Sequence, residues 1–357
     1  MTAQELDMAG VEAFAGQMIG VLNGAALTLM TSIGHHTGLL DTLAGLAPST
    51  SAQIATAAAL DERYVREWLG AMVSGRIVTY DPAGQTYALP PEHAAVITRA
   101  AGPGNLAVLA AGIPLLAQVQ EGIIASFRSG GGVPYAGFPG FQKMMAEVSG
   151  MTFDASLLAA TLPLVPGLIE RLTAGIDVAD ICCGSGHALN LMAQTFPRSR
   201  FSGYDFSQEG IAAGSAESAQ LGLSNTRFVE QDVVSLDVED AFDFITIFDA
   251  IHDQAQPRAM LKNVARALRP AGTLLAVDIR ASSRLEENLD HPLAPSLYTI
   301  STMHCMTVSL AQDGEGLGAM WGEQKARELF AEAGLVVEGV AQVAGDLLNN
   351  YYLCRKA

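Results

Sequence analysis

The chain has 357 residues, half of them hydrophobic and only 16% charged, with 37 acidic against 20 basic side chains and a net charge of −17. That length exceeds one ordinary domain and allows a large core, and the apolar excess points to an apolar cavity, a subunit interface or both. The negative charge argues against nucleic acid or an anionic membrane as partner, while four cysteines without C-x-x-C or metal-ligand spacing point to reduced thiols, no bound metal and a cytoplasmic protein.

The acidic start through Asp7 is unlike a signal peptide, and the most apolar run, 106–117, is too short to span a bilayer and contains Pro114. No membrane association is expected. From Phe14 to Leu43 the chain is apolar on nearly every side of a helix, interrupted by Asn23 and by His35 and His36. Such a helix needs a cover, and a second copy of the chain is the expected one.

Thr50-Ser51-Ala52-Gln53 forms a capping box for a short helix that buries Ile54, Ala57 and Ala58. Asp61 caps the next helix, in which Val65, Trp68, Leu69, Met72 and Val73 recur at helical spacing. Ile77 to Tyr80 then turns through Asp81-Pro82-Ala83-Gly84 into Tyr87-Ala88-Leu89, a hairpin. Helix, turn, helix and hairpin make a winged helix. Its charge argues against DNA: residues 41–100 hold four arginines and six acids, and the outer face of the second helix balances Arg63 and Arg66 with Glu62 and Glu67. Residues 101–170 read as helical and apolar, broken by the glycine-rich stretch 129–140, which suits either a moving lid or a passive loop.

From Ile176 to Ile181 an apolar strand runs through Asp180 into Cys182-Cys183-Gly184-Ser185-Gly186, and a helix with Leu189, Met192, Ala193 and Phe196 on its buried face follows. Glycine lets a backbone turn tightly while a ligand lies against it, and amides at a helix start donate to anions, so this is a nucleotide cradle. The dinucleotide fingerprint G-x-G-x-x-G fails in both registers, for want of glycines at Leu189 or at Cys182 and His187. Downstream, a strand ends at Asp205, 21 residues past Gly184, where a carboxylate can accept from ribose hydroxyls. Another ends at Asp232, and a buried strand from Phe242 to Phe248 leads into Asp249-Ala250-Ile251-His252-Asp253. Three successive strands thus end in carboxylates at their C-terminal tips, where doubly wound sheets bind ligands. A helix from Pro257, a strand over Gly272–Asp278, an insertion from Ile279 to Gly318, a helix from Met320 to Ala333 and strands over Leu335–Val340 and Asn350–Cys354 complete the chain.

The acid followed by the glycine turn resembles the motif of class I S-adenosylmethionine (SAM) dependent methyltransferases, with Cys182 where the first glycine usually stands. With the winged helix in front, the chain resembles small-molecule methyltransferases with an N-terminal winged-helix dimerisation domain, most nearly the mycobacterial and related actinobacterial members. The resemblance implies an α/β fold: a seven-stranded, mostly parallel sheet with helices on both faces, preceded by an α-helical winged-helix domain. It divides the chain into a dimerisation domain (1–100), a helical connector lining the acceptor pocket (101–170) and a SAM-binding domain (171–357). The implied cofactor is SAM, with S-adenosylhomocysteine (SAH) as product, and the implied acceptor is a small, largely apolar molecule.

Relatives acting on phenolic hydroxyls carry Leu-His-Asp-Trp after the fourth strand, with its histidine as base. Here the segment is Ile251-His252-Asp253-Gln254, which makes His252 the expected base. The pattern Phe-x-x-x-Met-x-x-x-Ser at Phe141, Met145 and Ser149 implies that the first two line the acceptor site and Ser149 approaches the SAM carboxylate. The remaining implied cofactor contacts are Asp180, Cys182, Gly184, Gly186, Asp205, Phe206, Gln231, Asp232, Val233, Phe248 and Asp249, with Asp232 taking the adenine amino group. Tyr298 and His304, in the insertion, are expected to contact the acceptor, whereas His187 reads as a packing or capping residue. Competing readings are a SAM- or ligand-responsive DNA-binding regulator without catalysis and a nicotinamide-dependent oxidoreductase.

Overall fold

The computed structural model of this chain describes residues 6–346 and 348–357. Two units are distinguished, one ending at Leu115 and the other running from Leu116 to Ala357. The expected connector is therefore shared between them rather than forming a unit of its own.

In the first unit, Asp7 accepts from the amide of Ala9 and starts α1 (Met8–Thr37), which stops where Gly38 takes a left-handed φ of 72°. The single helix expected through Leu43 is thus broken, and α2 (Leu39–Ala44) follows. α3 (Ser51–Ala58) carries the complete capping box of Thr50 and Gln53, and α4 (Glu62–Ser74) is capped by Asp61. β1 (Thr79–Asp81) and β2 (Thr86–Ala88) pair antiparallel as the wing, with Asp81 accepting from the amides of Ala83 and Gly84. α5 (Pro91–Ile97) and most of α6 (Leu106–Ala117) complete the unit. Its core joins Leu39, Leu40, Ile54, Trp68, Leu69 and Met72. Gly34 is required where α1 crosses α4, since a Cβ there would come within 2.7 Å of the Trp68 ring. On the outer face of α4, Arg63 pairs with Glu67 and Arg66 with Glu62, which leaves no surplus of positive charge there. α1 otherwise exposes Phe14, Ile19 and Leu22, and by length and composition it is long and apolar enough to cross a membrane, unlike the 106–117 run considered from sequence.

The second unit begins with α7 (Gln120–Ser129), α8 (Phe141–Thr152), a π-helical stretch over Phe153–Thr161 and α9 (Leu168–Ala174). A seven-stranded sheet follows. Parallel strands β3 (Asp177–Ile181), β4 (Arg200–Asp205), β5 (Thr226–Glu230), β6 (Phe242–Phe248) and β7 (Leu268–Ile279) are joined by β8 (Leu335–Ala341), which runs in the same direction, and by β9 (Asn349–Lys356), which lies antiparallel between β7 and β8. The spatial order is β5-β4-β3-β6-β7-β9-β8. Alternation along the central strands sends side chains to opposite faces. Ala179, Ile181, Ile245 and Ile247 pack beneath α12 (Pro257–Ala267) and α15 (Gly322–Glu332), while Val178 and Phe244 pack with Leu189 and Met192 of α10 (His187–Thr195). α11 (Gln208–Gln220) links β4 to β5, and α13 (Ala294–Ile300) and α14 (Met306–Leu310) lie in the insertion after β7. Strand order reverses between β3 and β6, and a crevice opens beyond the carboxyl ends of strands at such a switch point.

Candidate active site

The loop leaving β3 turns through three left-handed residues: Cys182 (φ 58°), Gly184 (53°) and Gly186 (69°). The two glycines serve different ends. A Cβ at Gly186 would lie 2.3 Å from the Phe228 ring, so that position is glycine for packing, whereas a Cβ at Gly184 would meet nothing within 4 Å. Asp205 holds the loop by accepting from the amides of Gly184 (2.8 Å) and Ser207 (2.7 Å). Burial raises its pKa against the pull of those two hydrogen bonds. Asp180 lies beneath the loop, 2% exposed, and accepts from the Thr246 hydroxyl at 2.7 Å, and burial pushes its pKa up to about 7. Its observed contact is with the sheet.

The remaining expected cofactor residues are spread around this rim. Asp232 is exposed and caps the turn at Val233–Ser235, with Val233 itself buried. The side chain of Gln231 donates to the carbonyl of Ser235. Phe206 is 52% exposed next to Asp205, and Phe248 packs on Phe153 at 4.9 Å. Ser149 is half-buried near the end of α8, next to Gly150, whose added Cβ would touch His187. His187 bridges Glu217 (2.6 Å) and Asp154 (2.9 Å), a structural tie rather than a base.

One strand across, β6 leads into the turn Ile251–Asp253 and presents His252, which is 3% exposed. Its Nδ1 donates to Asp278 Oδ1 at 2.7 Å. That carboxylate, at the end of β7 and fully buried, also accepts from the Trp321 indole at 3.0 Å and the Ile279 amide at 2.8 Å. Asp278 is the orienting acid that sequence reasoning missed, and Trp321 fixes it. The one available signal was that Asp278 ends a fourth strand in a carboxylate. Burial alone would lower the pKa of His252, but the charges of Asp278 and Asp253 outweigh it and hold the imidazole well above its ordinary value. Asp249 stands 3.9 Å from His252 Nδ1 in a left-handed conformation (φ 52°).

Asp249, His252 and Asp278, and separately His252, Asp253 and Cys305, bring possible metal-ligand atoms within 4.8 Å of one another. In the first set the 2.7 Å contact commits Nδ1 of His252 to a hydrogen bond, so that nitrogen has no lone pair for a cation.

His304 lies in a π-helical turn, Ser301–Cys305, and is 1% exposed. It stacks on Phe141 at 3.7 Å and meets the rings of Phe138 and Tyr135 at 4.7 and 5.4 Å. Met145 and Met303 pack into the same cluster. Burial pushes the His304 pKa down to about 4, leaving the imidazole neutral at pH 7. Tyr135 and Phe138 come from the glycine-rich 129–140 stretch, which is pinned rather than loose: Val133 N donates to Thr307 Oγ1 at 2.8 Å, and Gly132 lies so close that a Cβ would come within 1.9 Å of the Thr307 carbonyl oxygen. Tyr298 stands apart from this cluster, accepting from Asn288 and packing with Leu297 and Met320.

Residues 25–99 match the family described as Rv2258c-like winged HTH domain, and residues 172–334 match a family described as methyltransferase domain. The chain carries a methyltransferase domain. Over 112 residues that cover 31% of this chain and 47% of the relative, it is 27% identical to demethylmenaquinone methyltransferase of Listeria monocytogenes serotype 4a (strain HCC23). The chain thus spans about half the length of the curated relatives it matches. Among solved structures, it is similar to mitomycin 7-O-methyltransferase (TM-score 0.69, 18% identity, covering 98% of this chain and 100% of that one). It is also similar to human N-acetylserotonin methyltransferase in complex with SAM (TM-score 0.70, 14% identity, covering 100% of both chains). At these identities the likeness shows the fold, which puts the methyltransferase domain behind the winged helix.

Proposed function

We propose that this chain moves a methyl group from SAM to a hydroxyl of a small, largely apolar acceptor, with His252 as general base and SAH as the second product. The observation that carries this reading is the buried imidazole held by Asp278 at the sheet's switch point, one strand from the Gly184 turn. The SAM-bound and SAH-bound neighbours support the cofactor.

The residues present suit SAM. The outer side of Gly184 is open, and Asp205 keeps lone pairs beyond those given to Gly184 and Ser207, which ribose hydroxyls would use. Asp232 would take the adenine amino group, Phe206 would flank it, and Ser149 would meet the carboxylate. When bound, SAM supplies a sulfonium methyl that is already electrophilic. What the chain adds is positioning, exclusion of water and a place for the proton. Asp278 engages Nδ1–H, which leaves Nε2 of His252, beside Asp253, to take the acceptor's hydroxyl proton as the oxygen gains the methyl. His252→Ala should bind SAH in calorimetry as the parent does and lose at least about a hundredfold in transfer of labelled methyl. Unchanged turnover would reject His252 as base.

We also propose a homodimer formed through α1. The exposed apolar side chains of that helix support it, as does a groove of about 700 Å³ lined by Met30, Ile33, Tyr64 and Trp68 within the same unit. A cytoplasmic location is proposed on the strength of four free cysteines.

A further inference from the structure

Asp253 and His304 are left with unmet hydrogen bonds. Asp253 Oδ1 and both ring nitrogens of His304 are buried without a hydrogen-bond partner. Asp253 lies between the two histidines: its Oδ1 is 3.3 Å from His252 Nε2 and its Oδ2 is 3.9 Å from His304 Nδ1, the latter beyond hydrogen-bond reach. Walled by Phe141, Phe138 and Tyr135, the His304 ring has little freedom to turn toward another partner. The cluster reaches solvent at Asp253, whose side chain keeps 24% exposure.

Resting on the methyltransferase reading above, we infer that the acceptor is a vicinal dihydroxyarene, a catechol-type ring whose second hydroxyl is held by Asp253 and His304 while its neighbour is methylated at His252. A neutral imidazole offers one N–H and one lone pair, and a carboxylate only accepts. A hydroxyl meets both demands at once, donating to Asp253 and accepting from His304. An ammonium group cannot accept and an ether cannot donate. The 3.3 Å between His252 Nε2 and Asp253 Oδ1 suits oxygens on adjacent ring carbons, not oxygens across a ring. The aromatic and methionine walls suit a flat apolar body.

The test is calorimetry on the SAH-saturated full chain, titrated with 4-tert-butylcatechol and with 4-tert-butylphenol. The catechol should bind about tenfold or more tightly, the lower range for leaving a buried donor and acceptor unpaired. In His304→Phe and in Asp253→Asn that preference should shrink to about threefold or less. Equal affinities in the parent, as when ordered water fills the cluster, would overturn the inference, and so would a preference undiminished in both variants. Absence of SAH binding in the first titration would sink the methyltransferase reading together with this one, so the two failures are distinguishable.

Discussion

His252 takes its orientation from Asp278, 26 positions further along the chain, and its charge from Asp278 and Asp253 together. Because its folded pKa lies above the ordinary imidazole value of about 6.5, the charged ring stabilises the fold fully below that pH. That stabilisation is lost as pH rises through the folded pKa, and activity, with His252 as the proposed base, runs the opposite way. kcat/KM should therefore rise with pH on a limb centred above about 6.5. In Asp253→Asn the limb should move to lower pH, because one of the raising charges is gone. A limb that stays put in that variant would contradict the electrostatic account. At the neighbouring turn, the two departures from the family pattern touch each other. Cys182, holding a left-handed φ where a glycine usually stands, receives the Gln254 side chain at 3.5 Å, and Gln254 occupies the position of the missing tryptophan. The same amide donates to the carbonyl of Ala250, so it ties the Gly184 loop to the segment that carries His252.

Two elements decide the shape of the cluster around His304. The π-helical turn at Ser301–Cys305 buries His304 and Cys305 in succession, and π turns are frequent at functional sites. The glycine-rich stretch lies against α14, and Gly132 is the point of closest approach. Gly132→Ala should destabilise the chain by about 1–3 kcal/mol, as overpacking does, and should weaken acceptor binding by displacing Tyr135 and Phe138. Denaturant unfolding checks the first outcome and acceptor titration the second. An alanine variant as stable as the parent would mean that the segment is loosely held after all, as a moving lid requires. His187 works at this scale too: by bridging Glu217 of α11 to Asp154 of the π-helical stretch after α8, it holds three segments at the cofactor rim.

At the scale of the whole molecule the open issue is what covers α1. If a second copy does, the parent should elute as a dimer in light-scattering chromatography. Ile19→Lys combined with Leu22→Lys, at positions 58% and 66% exposed, should then give monomers. A monomeric parent, or one that floats with neutral lipid vesicles, would overturn the dimer. The sheet, the caps and the winged helix were legible in the sequence because their determinants are local: Thr50 with Gln53, Asp61, and the apolar runs of β3 and β6. The glycine turn and Asp205 were legible for a related reason, since each follows directly from the end of a strand, whereas His252 was expected from the resemblance of Ile251-His252-Asp253-Gln254 to Leu-His-Asp-Trp. What the sequence could not determine was the partner of each polar group. Asp278 meets His252 and Trp321, Thr307 meets Val133 across 174 positions, and Tyr135 meets His304, because sheet order and insertion packing bring them together. Strand identity is set by neighbours along the chain, whereas a buried hydrogen bond is set by neighbours in space, and only the folded sheet decides which those are.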